Sequence, residues 1–237
     1  MHNLSAKAKI LMGIVVFLGV GILVQVPTTW GQPIYGRFIG ILLVSLFAAC
    51  LRVSLPRITG SMAVNLPFIL LALSELSLAE ALLITGASTL VQCLWSESKQ
   101  PNPVRLAFNV SVTLMAAQAA WLAMRATPNA ALGLCFGALA YLLLNTVPVA
   151  AIIALTENAR LVRTWKQITQ LTFPYFVLAA GIAGLAKLAA HTLSWYIPLA
   201  ILPVMFLVQR SFVLYFQAVR NANPRENTYA MAASAGH

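Results

Sequence analysis

The stretch from Ala130 to Leu155 reads AALGLCFGALAYLLLNTVPVAAIIAL, which is 26 consecutive residues without a charged side chain. A helix needs about 20 apolar residues to span the hydrocarbon core of a bilayer. The single proline, Pro148, is compatible with such a helix, because neighbouring helices can satisfy the backbone carbonyl that it leaves free. The stretch therefore predicts a transmembrane helix.

The rest of the chain has the same character. Of its 237 residues, 60% are hydrophobic and 8% are charged, and the mean hydropathy is +0.86. A soluble domain carries about 25% charged residues, and one this apolar would expose far more apolar surface than soluble proteins tolerate. We therefore predict an all-α transmembrane helical bundle over residues 1–220. A short polar tail, 221–237, is predicted to be disordered and cytoplasmic.

The apolar residues fall into seven long runs and one short one. The short run, Ser61–Leu73, contains Asn65 and Pro67. We expect it to be a short or broken helix, or to join the next run through a proline kink. The long runs are Ala8–Val26, Tyr35–Val53, Leu78–Trp95, Pro103–Met124, Ala130–Leu155, Thr169–Ala190 and Trp195–Val219.

The basic residues between the runs decide the number of crossings. If all eight runs cross and the N-terminus is cytoplasmic, about eleven basic residues lie inside and three outside, as the positive-inside rule expects. If the short run does not cross, Arg160, Arg163 and Lys166 move to the side opposite Lys7 and Lys9. We predict eight crossings of the inner (plasma) membrane with both termini cytoplasmic, and seven is the alternative. The inner set is Lys7, Lys9, Arg52, Arg57, Lys99, Arg105, Arg160, Arg163, Lys166, Arg220 and Arg225, and the outer set is Arg37, Arg125 and Lys187.

The chemistry-bearing residues exclude most classes of enzyme. The chain has no aspartate, and its histidines are His2, His191 and His237, at an end or in a loop, so neither a Ser-His-Asp triad nor a paired-histidine haem or zinc site can be built. The three cysteines lie inside apolar runs without metal-ligand spacing. We predict no enzymatic activity, no metal and no cofactor. The net charge of +10 reflects topology, so no nucleic-acid partner is expected.

Polar residues inside apolar helices are the remaining candidates for a site. Such residues are costly in lipid and by default face the interior of the bundle. Asn109, Asn145, Tyr175 and Arg210 either make hydrogen bonds between helices or line a ligand cavity. Arg210 lies about nine residues from the cytoplasmic end of its run, so it needs a carboxylate, several carbonyls or an anionic ligand as a partner. We predict that these four residues bind a ligand.

Four stretches, taken in order, resemble a known family. That family is the N-terminal multi-helix membrane sensor region of bacterial cyclic-di-GMP signalling proteins of the HD-GYP and GGDEF type. The resemblance implies a sensory module whose last helix runs into a cytoplasmic output domain. The stretches are LPRITGS at Leu55–Ser61, VRLAFN at Val104–Asn109, YLLLNT at Tyr141–Thr146 with ALTE at Ala154–Glu157, and RSFVLY at Arg210–Tyr215 preceded by Pro174–Tyr175.

The sequence ends about twenty residues past Tyr215, where that family would continue into its output domain. We therefore expect a stand-alone, non-enzymatic sensor that binds a small or lipid-like ligand and acts through a cytoplasmic or membrane signalling partner. A substrate-binding subunit of a transporter is an alternative, because interior polar residues and broken helices also suit transport. A structural subunit of a membrane complex is another.

Overall fold

The computed structural model describes residues 6–30, 35–54, 61–95, 103–157, 159–193 and 197–221. Within these segments there are eight α-helices, one 3-10 turn and one two-stranded hairpin. Apart from Asn221, the predicted polar tail lies outside the described residues. The elements are α1 (Ala6–Gln25), the 3-10 turn (Val26–Thr29), α2 (Tyr35–Cys50), β1 (Arg52–Ser54), β2 (Ser61–Ala63), α3 (Leu66–Glu75), α4 (Leu78–Leu94), α5 (Pro103–Ala126), α6 (Ala130–Glu157), α7 (Leu161–Leu193) and α8 (Ile197–Asn221).

The predicted all-α helical bundle is confirmed, and five of the helices in the described segments are long and apolar enough to cross a membrane. The helices α2 and α4, with 16 and 17 residues, are slightly shorter. At 1.5 Å per residue they cover roughly 24–26 Å, a little less than the hydrocarbon core. The five long segments are Ala6–Thr28, Pro103–Ala126, Ala130–Glu157, Leu161–Ala189 and Leu199–Ala218.

Many large apolar side chains lie on the surface of the bundle. Phe17 is 78% exposed and Leu188 is 73% exposed, whereas Phe68 in α3 is fully buried. Large apolar side chains on the outside are costly in water but favourable against lipid tails. The distribution identifies a membrane-embedded protein.

The short run differs from the prediction in its first half. Residues Ser61–Ala63 form a strand that pairs with Arg52–Ser54, and the helix begins only at Leu66, with Pro67 in its first turn. Proline fits there because the first turn does not need its N–H. The helix α3 does not run on into α4 either, because the extended residue Leu76 separates them. Strand and helix together cover roughly 25 Å, and we call this interrupted segment, Ser61–Glu75, the broken run.

Ion pairs show which helix ends lie together. Arg37 in the first turn of α2 and Lys187 near the end of α7 both contact Glu75, the last residue of α3, at 3.2 and 3.7 Å. The chain therefore returns through α3 to the end of the bundle where α2 began. We call this end the Glu75 end. The opposite one, where α2 and α4 end beside each other at Cys50 and Trp95, is the Trp95 end.

Glycines set the closest helix contacts. A Cβ on Gly133 would lie 3.0 Å from the Met124 carbonyl oxygen, and one on Gly137 would lie 3.1 Å from the Ala120 carbonyl oxygen. The helices α5 and α6 thus meet through this pair of small residues, as membrane helices commonly do. Between α1 and α5, a Cβ on Gly19 would lie 2.7 Å from the Ser111 Cα. These contacts hold α5 at the centre of its neighbours.

Candidate functional site

Tyr175 is the only one of the four predicted site residues that is fully buried; its relative exposure is 1%. Its hydroxyl oxygen accepts the backbone N–H of Leu66, the first residue of α3, at 3.1 Å. Its ring packs edge-on against Phe212 of α8, with the ring centroids 6.2 Å apart. The side chain thus joins three helices, and its hydroxyl satisfies the backbone donor at the start of α3.

Asn109 and Asn145 are half-buried and lie on different helices. The Asn109 amide nitrogen contacts the Cys93 sulfur at 3.6 Å, which ties α5 to α4. Next to Asn145, the Thr146 hydroxyl accepts the Trp165 indole N–H at 3.0 Å, which ties α6 to α7. The polar contacts at Asn109 and beside Asn145 thus hold helices together.

Arg210 departs from the prediction that it faces the interior of the bundle. Its side chain is exposed on α8, and its guanidinium lies 5.4 Å from the centroid of the Phe206 ring. Such a cation–π contact gives the charge a partner on its own helix. The prediction rested on the cost of a charge in lipid, and the cation–π contact on the outer face of α8 gives that charge a partner without turning it inward.

The four residues do not form one site. Tyr175 is in the core, Arg210 is on the surface, and Asn109 is at the α4–α5 contact. None of the four lies on the wall of either cavity described below. Their binding role stays a prediction. A cluster of charged side chains lies elsewhere, at the Glu75 end of the bundle.

The Glu75 end holds a charged cluster that we define as Arg37, Glu75 and Lys187. Arg37 donates to one carboxylate oxygen of Glu75 at 3.2 Å, and the Lys187 ammonium lies 3.7 Å from the other. Lys187 also donates to the Ser74 carbonyl oxygen at 3.5 Å. The side chains of Arg37, Glu75 and Lys187 are 38%, 18% and 31% exposed, so the cluster is partly shielded from water.

A second carboxylate nearby is kept out of this cluster. Glu80 is only 5% exposed, and one of its oxygens accepts both the Ser77 N–H at 3.0 Å and the Ser77 hydroxyl at 2.6 Å. The Ser77 hydroxyl in turn accepts the Glu80 N–H at 3.4 Å. This capping box starts α4, and it engages the Glu80 carboxylate locally.

A cavity of about 300 Å³ opens beside the charged cluster. We call it the Lys187 cavity. Two cations, Lys187 and Arg125, are on its wall, and the carboxylates of Glu75 and Glu80 are not. Arg125 is held by a cation–π contact, with its guanidinium 5.3 Å from the Trp121 ring centroid one turn earlier in α5. The other lining residues are apolar or weakly polar: Leu73, Ser74, Met124, Thr127, Pro128, Ala130 and Leu134.

A different cleft, of about 520 Å³, lies at the Trp95 end between α2 and α4. Leu46, Phe47, Val91, Leu94 and Trp95 make its wall apolar, and Cys50 completes it. The cleft has no charged group that would orient a ligand. Within the described residues there is also no group of three or more His, Cys, Asp or Glu side chains that could hold a metal ion.

The basic residues at the Glu75 end were recognisable in the sequence only as topological markers. Arg37, Arg125 and Lys187 were assigned together to one side of the membrane, and Glu75 falls on that same side. Their shared side of the membrane was the signal in the sequence that could have indicated a common site.

Comparisons of the chain with protein-family models, with curated proteins and with solved structures give no match. The fold and the cavity thus define a polytopic helical membrane protein, and the resemblance to a sensor family stays a prediction.

Proposed function

We propose that this protein is a sensor-like, non-enzymatic membrane module that binds a small or lipid-like ligand in the Lys187 cavity. The observation that carries the proposal is a cavity with two cations on its wall, apolar side chains beside them and no carboxylate on that wall. Ligand cavities typically combine apolar walls with a few convergent polar groups. At about 300 Å³ the cavity suits a small molecule or part of a lipid.

The contacts of α3 support a route from the cavity to the last helix. The Lys187 ammonium at the cavity wall donates to Ser74 near the end of α3, and Leu66 at the start of α3 donates to Tyr175. The ring of Tyr175 packs against Phe212 of α8. A ligand that draws Lys187 away from Ser74 would change the contacts at the C-terminal end of α3. The N-terminal end of α3 is bonded to Tyr175, and α8 packs against the ring of that tyrosine.

The location and partner of the protein belong to the same proposal. The distribution of basic residues supports the inner (plasma) membrane with both termini in the cytoplasm. The Glu75 end then faces outward, and the cavity samples ligands outside the cell. The resemblance to sensor regions of cyclic-di-GMP signalling proteins supports output through α8 to a separate signalling partner.

Ligand-dependent thermal stability tests binding. We expect at least one compound in a screen of small metabolites and lipids to raise the melting temperature saturably, because a ligand that binds the native state stabilises it. Ala130→Trp, which places an indole at the cavity wall, should abolish that rise. Leu132→Trp, at a 53% exposed position in the same helix turn, is the matched control. No stabilisation by any compound, or equal stabilisation of both variants, would contradict the proposal.

A transporter subunit is the second candidate, and the broken run Ser61–Glu75 favours it. Discontinuous helices with ends at membrane depth form the substrate sites of many transporters. In this chain the strand Ser61–Ala63 gives way to a helix at Leu66. Uptake of a stabilising ligand into vesicles that contain the purified protein would favour transport, and saturable binding without uptake would favour sensing.

A further inference from the structure

The Lys187 ammonium has two long-range partners. It lies 3.7 Å from a Glu75 carboxylate oxygen and 3.5 Å from the Ser74 carbonyl oxygen. A charge-assisted hydrogen bond between an ammonium and a carboxylate is usually about 2.7–2.9 Å. Lys187 is therefore only loosely held, and its side chain also lines the cavity. A closer anion inside the cavity would be a better partner.

Glu75 does not lose its counter-ion if Lys187 turns into the cavity. Arg37 donates to the other carboxylate oxygen at 3.2 Å, which is the shorter of the two ion pairs. Removing the only partner of a partly buried charge is costly, because the charge is left uncompensated. Since Glu75 has two cationic partners, losing Lys187 costs less free energy than losing an only partner would.

The cavity also favours one sign of charge. Arg37 and Lys187 pair with a single carboxylate, Glu75, and the cavity wall carries two cations, Lys187 and Arg125. Leu73, Met124, Pro128 and Leu134 supply apolar wall. An anionic group would be attracted to Lys187, and an apolar body of limited length would fill the remaining volume.

Building on the proposed function, we propose that the ligand of the Lys187 cavity is an amphiphilic monoanion. Its anionic group takes the place of Glu75 on Lys187, and its short apolar body lies against the leucine, methionine and proline side chains. Glu75 thus acts as an internal competitor that occupies Lys187 in the absence of ligand and is retained by Arg37 in its presence.

Binding of hexanoate, measured by thermal shift and calorimetry in lipid nanodiscs, tests this class of ligand. Hexanamide is the neutral probe of the same shape. We expect saturable binding of hexanoate only. Lys187→Met should weaken hexanoate at least tenfold, and Glu75→Gln should strengthen it severalfold because the competing charge is gone. Lys166 is an exposed lysine at the other end of α7. The Lys166→Met variant should therefore bind hexanoate like the wild type.

The outcomes separate the ligand class from the proposed function. Equal binding of hexanamide and hexanoate, lost in Ala130→Trp, would keep the cavity as a binding site and overturn the anion. Unchanged hexanoate affinity in Lys187→Met would also overturn it.

Nanodiscs of phosphatidylcholine with and without phosphatidylglycerol identify the source of the anion. Weaker hexanoate binding with phosphatidylglycerol means that a lipid headgroup binds Lys187, and equal binding means that a free acid does.

Discussion

The Tyr175 hydroxyl oxygen accepts the backbone N–H of Leu66 at 3.1 Å, 109 residues away in the chain. This bond completes the N-terminus of α3 in the middle of the bundle. Pro67 has no N–H, and the N–H groups of Phe68 and Ile69 both reach the Asn65 carbonyl. Without the tyrosine, one backbone donor would be left buried in an apolar environment, which a membrane protein has to avoid.

Tyr175→Phe should therefore destabilise the protein by about 1 kcal/mol, because it removes the acceptor and keeps the ring packing. The free energy of unfolding, measured by SDS titration in mixed micelles, checks this value. Tyr215→Phe is the control, since the Tyr215 side chain is 62% exposed on α8 and its loss of a hydroxyl should change stability by less than about 0.5 kcal/mol. Equal effects of the two substitutions would mean that the Leu66 bond contributes nothing.

A pair of glycines in α1 should respond in opposite directions to alanine. A Cβ on Gly19 would lie 2.7 Å from the Ser111 Cα, so Gly19→Ala has to push α1 away from α5. We expect a loss of about 1–3 kcal/mol. A Cβ on Gly21 meets no atom of the described residues within 4 Å. Gly21→Ala should then be neutral or stabilise by up to about 1 kcal/mol through helix propensity. The same unfolding titration distinguishes them, and a Gly19→Ala protein as stable as the wild type would contradict the close α1–α5 contact.

The cap of α4 can be tested independently of the cavity. Ser77→Ala removes the hydroxyl that accepts the Glu80 N–H and donates to the Glu80 carboxylate. Loss of an N-cap side chain costs about 0.5–2 kcal/mol. Thr156→Ala is the control, because that hydroxyl is exposed and only bonds back to the Ile152 carbonyl one turn earlier. Circular dichroism melts of both variants give the comparison, and a Ser77→Ala protein as stable as the control would show that the box is dispensable.

Arg37 should influence ligand binding although it is not on the cavity wall. If Arg37 retains Glu75 while Lys187 binds the ligand, Arg37→Met leaves Glu75 with Lys187 as its only ion-pair partner in the cluster. Hexanoate affinity should then fall severalfold. In a Glu75→Gln background the same Arg37→Met substitution should have almost no effect, because the competitor is already gone. Calorimetric titration of the four proteins completes a double-mutant cycle, and additive effects would contradict the competition.

The sequence predicted the helical bundle well because long apolar runs are a local signal. The run Ala130–Leu155 became α6, Ala130–Glu157. The strand at Ser61–Ala63 was not predictable in this way, since it forms by pairing with Arg52–Ser54 on the other side of a hairpin. A strand of three residues is too short to show an alternating pattern of its own.

The site was harder to predict than the fold for a physical reason. In a soluble helix the polar face marks the outside, but a membrane helix is apolar on both its lipid face and its packed face. Arg210 was expected inside because a charge is costly in lipid, and it lies on the outer face of α8. The cluster of Arg37, Glu75 and Lys187 joins three helices. The sequence predicts that all three residues lie on one side of the membrane, but only the packing of α2, α3 and α7 brings them into contact.

The most direct test of the central claim, that ligand binds in the Lys187 cavity, is protection of an introduced cysteine. In a background with Cys50, Cys93 and Cys135 replaced by alanine, Thr127→Cys places a thiol on the cavity wall, and Leu132→Cys places one outside it. The rate of maleimide modification is measured with and without saturating hexanoate. We predict that hexanoate slows the reaction at position 127 and leaves position 132 unchanged. Equal rates at position 127 with and without bound hexanoate would contradict the assignment of the cavity.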